Sequence, residues 1–178
     1  MTDLSRVRVL ILATDGFEQD ELFGPRAALL DAGAQVTVAS LKRDPIFGEK
    51  HGEKGASITP DTTLDRVDTS EFDALVLPGG VANPDKLRMD DRAVAIVEEF
   101  VDDDKLVAAI CHGPWLLVEA DAVDGRRVTG WPSIRTDLSN AGAQVVDEQV
   151  VVDGNLITSR QPEDIPAFNQ AVIAALKG

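Results

Sequence analysis

The segment Val7–Ala13 (VRVLILA) is apolar at every position but Arg8. A strand with only one face on a core alternates apolar and polar side chains. A run without that alternation is covered on both faces, as in a parallel sheet flanked by helices. The following segments fit that layout. Glu21–Ala32 carries apolar residues at helical spacing, and Gly33 is placed to end the helix. Gln35–Leu41, Ala74–Leu77 and Leu106–Ile110 read as further strands; Arg92–Val101, Ser133–Ala141 (with Gly142 at its end) and Pro162–Leu176 read as helices. Gln149–Val152 and Asn155–Ser159 read as a hairpin about Asp153-Gly154, because Asp-Gly is a preferred two-residue turn. Lys42–Thr59, with several glycines and little periodicity, reads as a surface excursion that serves as a lid or an oligomer contact. Strands alternating with helices predict an α/β sandwich: a mostly parallel central sheet with helices on both faces.

A chain of 178 residues without a linker or an internal repeat reads as a single domain, 1–178. The formal net charge of −14 argues against nucleic acid and anionic membrane as partners, since both demand clustered Lys and Arg. Asp90-Asp91 and Asp102-Asp103-Asp104 read as solvated turns. A single cysteine excludes a disulfide framework and a cysteine-based zinc site. The two histidines, His51 and His112, stand too far apart to suggest a metal site, and His51 reads as a surface residue. The expectation is therefore no metal and no cofactor. Met1–Arg6 lacks a long apolar stretch and a cleavage pattern, and no apolar run is long enough to span a bilayer, so a cytoplasmic protein is expected.

The chemistry concentrates where Leu106–Ile110 runs without a loop into Cys111-His112-Gly113-Pro114 and then Trp115–Ala120. A tight strand-to-helix turn exposes its central side chain and points it at backbone N–H groups. A lone cysteine is more often a buried structural residue. Here an adjacent His and a Gly two positions on supply what an activated nucleophile needs. In open α/β sheets the site lies beyond the carboxyl ends of the strands. Three segments converge there: Thr14–Glu18, Pro78-Gly79-Gly80 and Cys111-His112-Gly113. Glu21 opens the first helix and reaches into the same crevice, with Glu18 three residues earlier. A carboxyl buried against the sulfur is pushed toward its protonated form and donates a hydrogen bond to a thiolate. Gly79, Gly80 and the N–H of His112 are candidates for an oxyanion hole. His112 is a candidate general acid or base, needing a partner to set its tautomer.

Asp73–Gly80 (DALVLPGG) and Ala109–Pro114 (AICHGP) closely resemble the PfpI family of intracellular cysteine peptidases, in the superfamily of the parkinsonism-associated deglycase. The resemblance continues through Gly16-Phe17-Glu18, Lys50-His51-Gly52, Asn140-Ala141-Gly142 and Val150–Asn155 to Thr158-Ser159-Arg160. It implies a flavodoxin-like three-layer sandwich with a nucleophile elbow at Cys111. Glu21 matches the acidic residue that hydrogen-bonds the thiol, and Glu18 the second glutamate of that loop. The resemblance also implies a homodimer or a ring of dimers in which a neighbouring subunit's carboxylate pairs with His112. The matching position is Asp85, shorter than the family's Glu. Trp115 stands where Gln is common and is expected to narrow or reshape the pocket. Trp131 and Pro132, with Ser133, match the segment that overhangs the site. Absence of a His beyond residue 112 separates the chain from the deglycase branch and from glutamine amidotransferases.

Three functions follow as expectations. The first is a stress-related cysteine hydrolase of the peptidase type, acting at a carbonyl carbon. The second is a glyoxalase or protein deglycase, whose substrate is methylglyoxal, glyoxal or a glycation adduct. The third, from another class, is a redox-sensing stress protein or holdase that uses Cys111.

Overall fold

The computed structural model describes residues 3–178; Met1 and Thr2, part of the N-terminal stretch considered above, lie outside the described residues. In chain order the first half holds β1 (Arg8–Leu12), β2 (Phe17–Glu18), α1 (Gln19–Asp31), β3 (Gln35–Ser40), β4 (Ile46–Lys50), β5 (Glu53–Ile58), β6 (Thr62–Thr63) and β7 (Ala74–Leu77). The second half holds α2 (Ala82–Leu87), α3 (Asp91–Asp102), β8 (Leu106–Ile110), α4 (Trp115–Glu119), β9 (Arg127–Val128), α5 (Arg135–Asn140), β10 (Gln144–Val145), β11 (Val150–Asp153), β12 (Leu156–Ser159) and α6 (Ile165–Lys177). A seven-stranded sheet runs β11-β12-β8-β7-β1-β3-β6, parallel except for β11.

Successive side chains of a strand point to opposite faces, and β1 is apolar on both. Leu10 and Leu12 pack with Ile96, Val97 and Phe100 of α3 and with Leu116 of α4. Val9 and Ile11 pack with Leu22 and Leu29 of α1 and with Phe168 and Val172 of α6. These two cores make the three-layer α/β sandwich expected from the apolar runs. The start of α3 is set by Asp90, whose Oδ1 accepts the N–H of Ala93 at 2.9 Å. Among the described residues no helix is long and apolar enough to cross a membrane.

Two expectations need correction. The hairpin turn is Gly154-Asn155 rather than Asp153-Gly154, with Asp153 paired to Leu156. Glycine at the first central position takes φ +58, and Asp153 stays in the strand, where its Oδ2 accepts from the N–H of Arg127 and Nε of Arg126. Second, 42–59 is not irregular. β4 and β5 form an antiparallel hairpin that joins β2 in a separate three-stranded sheet. Its two-residue turn is His51-Gly52, with φ +52 and +80, both left-handed as a type I′ turn requires. The glycines that masked the strand pattern are packing devices. A Cβ on Gly48 would sit 2.7 Å from the Phe17 ring, and one on Gly55 2.7 Å from Gln19 Oε1.

Candidate active site

β8 delivers Cys111 at φ +63, a left-handed conformation that costs a non-glycine residue roughly 1–3 kcal/mol. The surroundings impose it. Cys111 donates its N–H to Ser159 O at 3.0 Å, and its carbonyl accepts from Trp131 N at 2.8 Å. The chain then folds so tightly that Gly113 N–H reaches Ile110 O at 2.8 Å, and a Cβ on Gly113 would strike the carbonyls of Leu77 and Ile110. The result is the strand-to-helix elbow expected from the sequence, with Cys111 only 6% exposed.

One flank of the sulfur is built from α1 and the turn after β7. Glu21 is fully buried, and its Oε2 accepts the N–H of Gly79 at 2.8 Å. Its Oε1 is buried without a partner, and the carboxyl lines the same cavity as the Cys111 thiol, close enough for the two groups to shift one another's protonation. Burial pushes the Glu21 carboxyl up to about 8, so it is mostly protonated at neutral pH. Burial also pushes the thiol up, and a carboxylate charge at Glu21 would push it further. A protonated Glu21 removes that charge and turns the same contact into an O–H donor to sulfur. The N–H groups of His112 and Gly80 favour the thiolate as well. Glu18 is raised too, chiefly by burial, and its Oε1 is buried without a partner.

The other flank is aromatic. His112 is 6% exposed; its Nδ1 stands 3.3 Å from Cys111 Sγ and its Nε2 3.4 Å from Ser133 Oγ. The ring stacks on Trp131 (5.9 Å between centroids, 24°) and meets Trp115 edge-on at 5.1 Å. Burial holds His112 below the ordinary imidazole range, so it is neutral at physiological pH.

Cys111, His112, Glu18, Glu21, Gly80 and Trp131 line one cavity of about 390 Å³ beyond the carboxyl ends of β1, β7 and β8. Gly79 takes a different place from the one expected. Its N–H is committed to Glu21, so the donors facing the sulfur are Gly80 and His112. A Cβ on Gly79 would run into the Glu21 carboxyl, and one on Gly80 (φ +79) into the carbonyl of Gly16. Trp115 and Pro132 do not line the cavity. The Trp115 indole stands behind His112, donates to Asp137 Oδ2 at 2.9 Å and carries the Arg88 guanidinium over its ring at 5.1 Å. The Asp137 and Arg88 contacts hold the indole outside the cavity. Asp85 is exposed on α2 and is not among the cavity residues.

Several contributors lie outside the motifs. His51 and Gly52, at the β4–β5 turn, and Gln161-Pro162-Glu163, after β12, close the cavity's sides. A hairpin of glycines and charged residues carries no periodic signal that would bring it there. Asn83, fully buried, accepts Thr14 N–H at 2.8 Å and donates to the carbonyls of Pro78 and Gly79 at 3.1 Å each. It ties the loops after β1 and β7 together beneath Glu21, and the Gly-Gly-Val-Ala-Asn spacing alone does not reveal this.

Comparison with known proteins places the chain. It is 46% identical over 171 residues to General stress protein 18 of Bacillus subtilis, covering 96% of this chain and 98% of that protein. It is 45% identical over 171 residues to Deglycase TK1284 of Thermococcus kodakarensis, covering 96% of this chain and all of that one. The crystal structure of Drosophila melanogaster DJ-1beta superposes with a TM-score of 0.89 at 31% identity, over 97% of this chain and 91% of that one. Residues 7–175 match the model of the DJ-1/PfpI family, and the chain belongs to that family.

Proposed function

We propose that this chain is a cysteine-nucleophile enzyme that attacks a carbonyl carbon. The observation that carries the proposal is a thiol held at positive φ between a buried carboxyl, Glu21, and an imidazole nitrogen 3.3 Å away. The thiol passes its proton to Nδ1 of His112 as the sulfur–carbon bond forms. The carbonyl π pair moves to oxygen, and the N–H groups of Gly80 and His112 receive the oxyanion.

Of the two substrate classes, a small carbonyl compound or glycation adduct is the better match to the cavity of about 390 Å³, and relatives named as deglycases support it, against the expectation that the missing late His separates the chain from that branch. With methylglyoxal, the hydrogen on the sulfur-bearing carbon moves to the adjacent carbonyl carbon, with Glu18 as the nearby base. This leaves a thioester. Water cleaves it, releasing lactate and restoring the thiol. The peptidase reading, which rests on the PfpI resemblance, shares the first step and then expels an amine protonated by His112. The stress setting rests on the name of the Bacillus subtilis relative. The assembly we propose is a homodimer or a ring of dimers, supported by two exposed apolar residues that flank α2: Val81, which lines the cavity, and Met89, just past the helix end.

Lactate release from methylglyoxal, measured beside hydrolysis of a fluorogenic peptide, separates the two classes. Cys111→Ser is expected to bring either activity to background. Turnover retained in that variant overturns the proposal.

A further inference from the structure

Two walls of the cavity come from segments far apart in the chain: Trp131, after β9, and Gln161-Pro162-Glu163, after β12. Both are tied to the elbow at their base. Cys111 O accepts the N–H of Trp131 at 2.8 Å, and Ser159 O accepts the N–H of Cys111 at 3.0 Å. Beyond those bonds, charged side chains take over. The guanidinium of Arg160 forks onto Asp164, Nε to Oδ2 at 2.8 Å and Nη2 to Oδ1 at 2.9 Å, and the Arg160 N–H adds a third bond at 3.1 Å. Asp164 is 2% exposed, and its N–H returns to Gln161 O at 3.0 Å, so the 161–163 turn moves with it. The remaining arm of the guanidinium, Nη1, donates to Asp147 Oδ1 at 2.9 Å. The same oxygen accepts Nη2 of Arg135 at 2.8 Å, and Arg135 directly follows the Pro132–Ile134 turn that Trp131 precedes.

We propose that Arg160 is a positioning residue that fixes the width of the cavity: one guanidinium joins the Gln161–Glu163 wall to the Trp131 wall, and their separation decides how bulky a carbonyl compound reaches Cys111. The arrangement suits this role better than bulk stability. Attraction within a salt bridge removed from water is largely offset by desolvation. What a guanidinium adds is a planar fork of fixed direction, which an ammonium lacks. The Asp147 end is itself anchored, since Val146 N–H donates to Val128 O at 2.9 Å. Arg135, Asp147, Arg160 and Asp164 therefore form one continuous line of alternating charge from one wall to the other. Arg160 is the member of that line that reaches toward both walls at once, through Asp164 on one side and Asp147 on the other.

The inference rests on Cys111 as the reactive thiol of the proposed enzyme, and its test reads the walls rather than turnover. The chain has one cysteine, so iodoacetamide and N-benzyl iodoacetamide compare a small and a bulky reagent, with the same leaving group, at a single atom. The native protein is expected to favour the small reagent. In Asp147→Ala the small-to-bulky rate ratio should fall about twofold to fivefold, the worth of one exposed ion pair. Arg160→Lys, which loses the fork, should lower it further. Glu71→Gln breaks the Arg8–Glu71 pair at the opposite end of the sheet and should leave the ratio unchanged. The chain has two tryptophans, so 5-fluorotryptophan labelling gives two ¹⁹F resonances, assigned with Trp115→Phe. The Trp131 resonance should broaden or split in Asp147→Ala and stay as it is in Glu71→Gln. A ratio and a Trp131 resonance that match the native protein in both Asp147→Ala and Arg160→Lys overturn the proposal, and so does an equal change in Glu71→Gln. A native protein with the expected ratio and resonance but no turnover supports the joined walls and refutes the enzymatic reading instead.

Discussion

The two flanks of Cys111 are built by different physical means. On the Glu21 side the device is burial: a carboxyl with no exposure, one oxygen on Gly79 N–H and the other buried without a partner. On the His112 side it is packing: a ring held between two indoles, with one nitrogen on sulfur and the other on a hydroxyl at the surface. In the proposed mechanism the first flank sets how much charge the sulfur sees, and the second sets where its proton goes. A site built this way tolerates loss of aromatic area better than a change of charge, because desolvating an ion costs far more than shifting a contact.

That contrast can be broken most strongly at Glu21. Its carboxyl is raised from an ordinary 4.5 to about 8, so the folded state binds the proton more tightly than the unfolded state. The stability this gives is complete below pH 4.5 and is lost as pH rises through 8. Gln does not titrate and preserves an acceptor for Gly79 N–H. Glu21→Gln should therefore gain on the native protein between those limits, by at most about 5 kcal/mol above pH 8. Denaturant midpoints at pH 4.5, 6.5 and 9 check it. A difference that does not change with pH would mean that Glu21 is already ionised and that the two flanks do not differ as described.

A smaller effect is expected beneath the first flank. Asn83→Ala removes three buried hydrogen bonds and strands the Thr14 N–H. The cost should be about 2–3 kcal/mol of stability, with kcat falling more than KM rises because Gly79 and Gly80 lose their support. Unfolding curves and steady-state kinetics read both. A variant as stable as the native protein would show that the loops hold themselves.

The smallest effect belongs to the second flank. Trp115→Phe keeps the aromatic wall behind His112 but loses the Asp137 bond and weakens the Arg88 contact. About 1 kcal/mol or less of stability should go, with KM unchanged, because the ring does not line the cavity. A change in KM would return Trp115 to the substrate side.

The sequence alone was enough for the elements whose physics is local. Val7–Ala13 reads as a strand covered on both faces, and β1 lies between two cores. The Ile110-Cys111-His112-Gly113 elbow was legible because a strand cannot enter a helix without a loop unless a glycine admits the close turn, and Gly113 lies against two carbonyls. Glu21 was legible because it begins a helix beside that elbow. The hairpin at 46–58 was not, since Gly48 and Gly55 are explained only by the ring and side chain pressed against them. Tertiary structure alone decided that Gly79 serves Glu21, that Trp115 backs His112 instead of lining the cavity, and that Ser133 meets Nε2. Each of these depends on which way a side chain or an N–H points after distant segments have packed. Periodicity and motif spacing specify positions along the chain. Direction is specified by the surroundings that packing supplies.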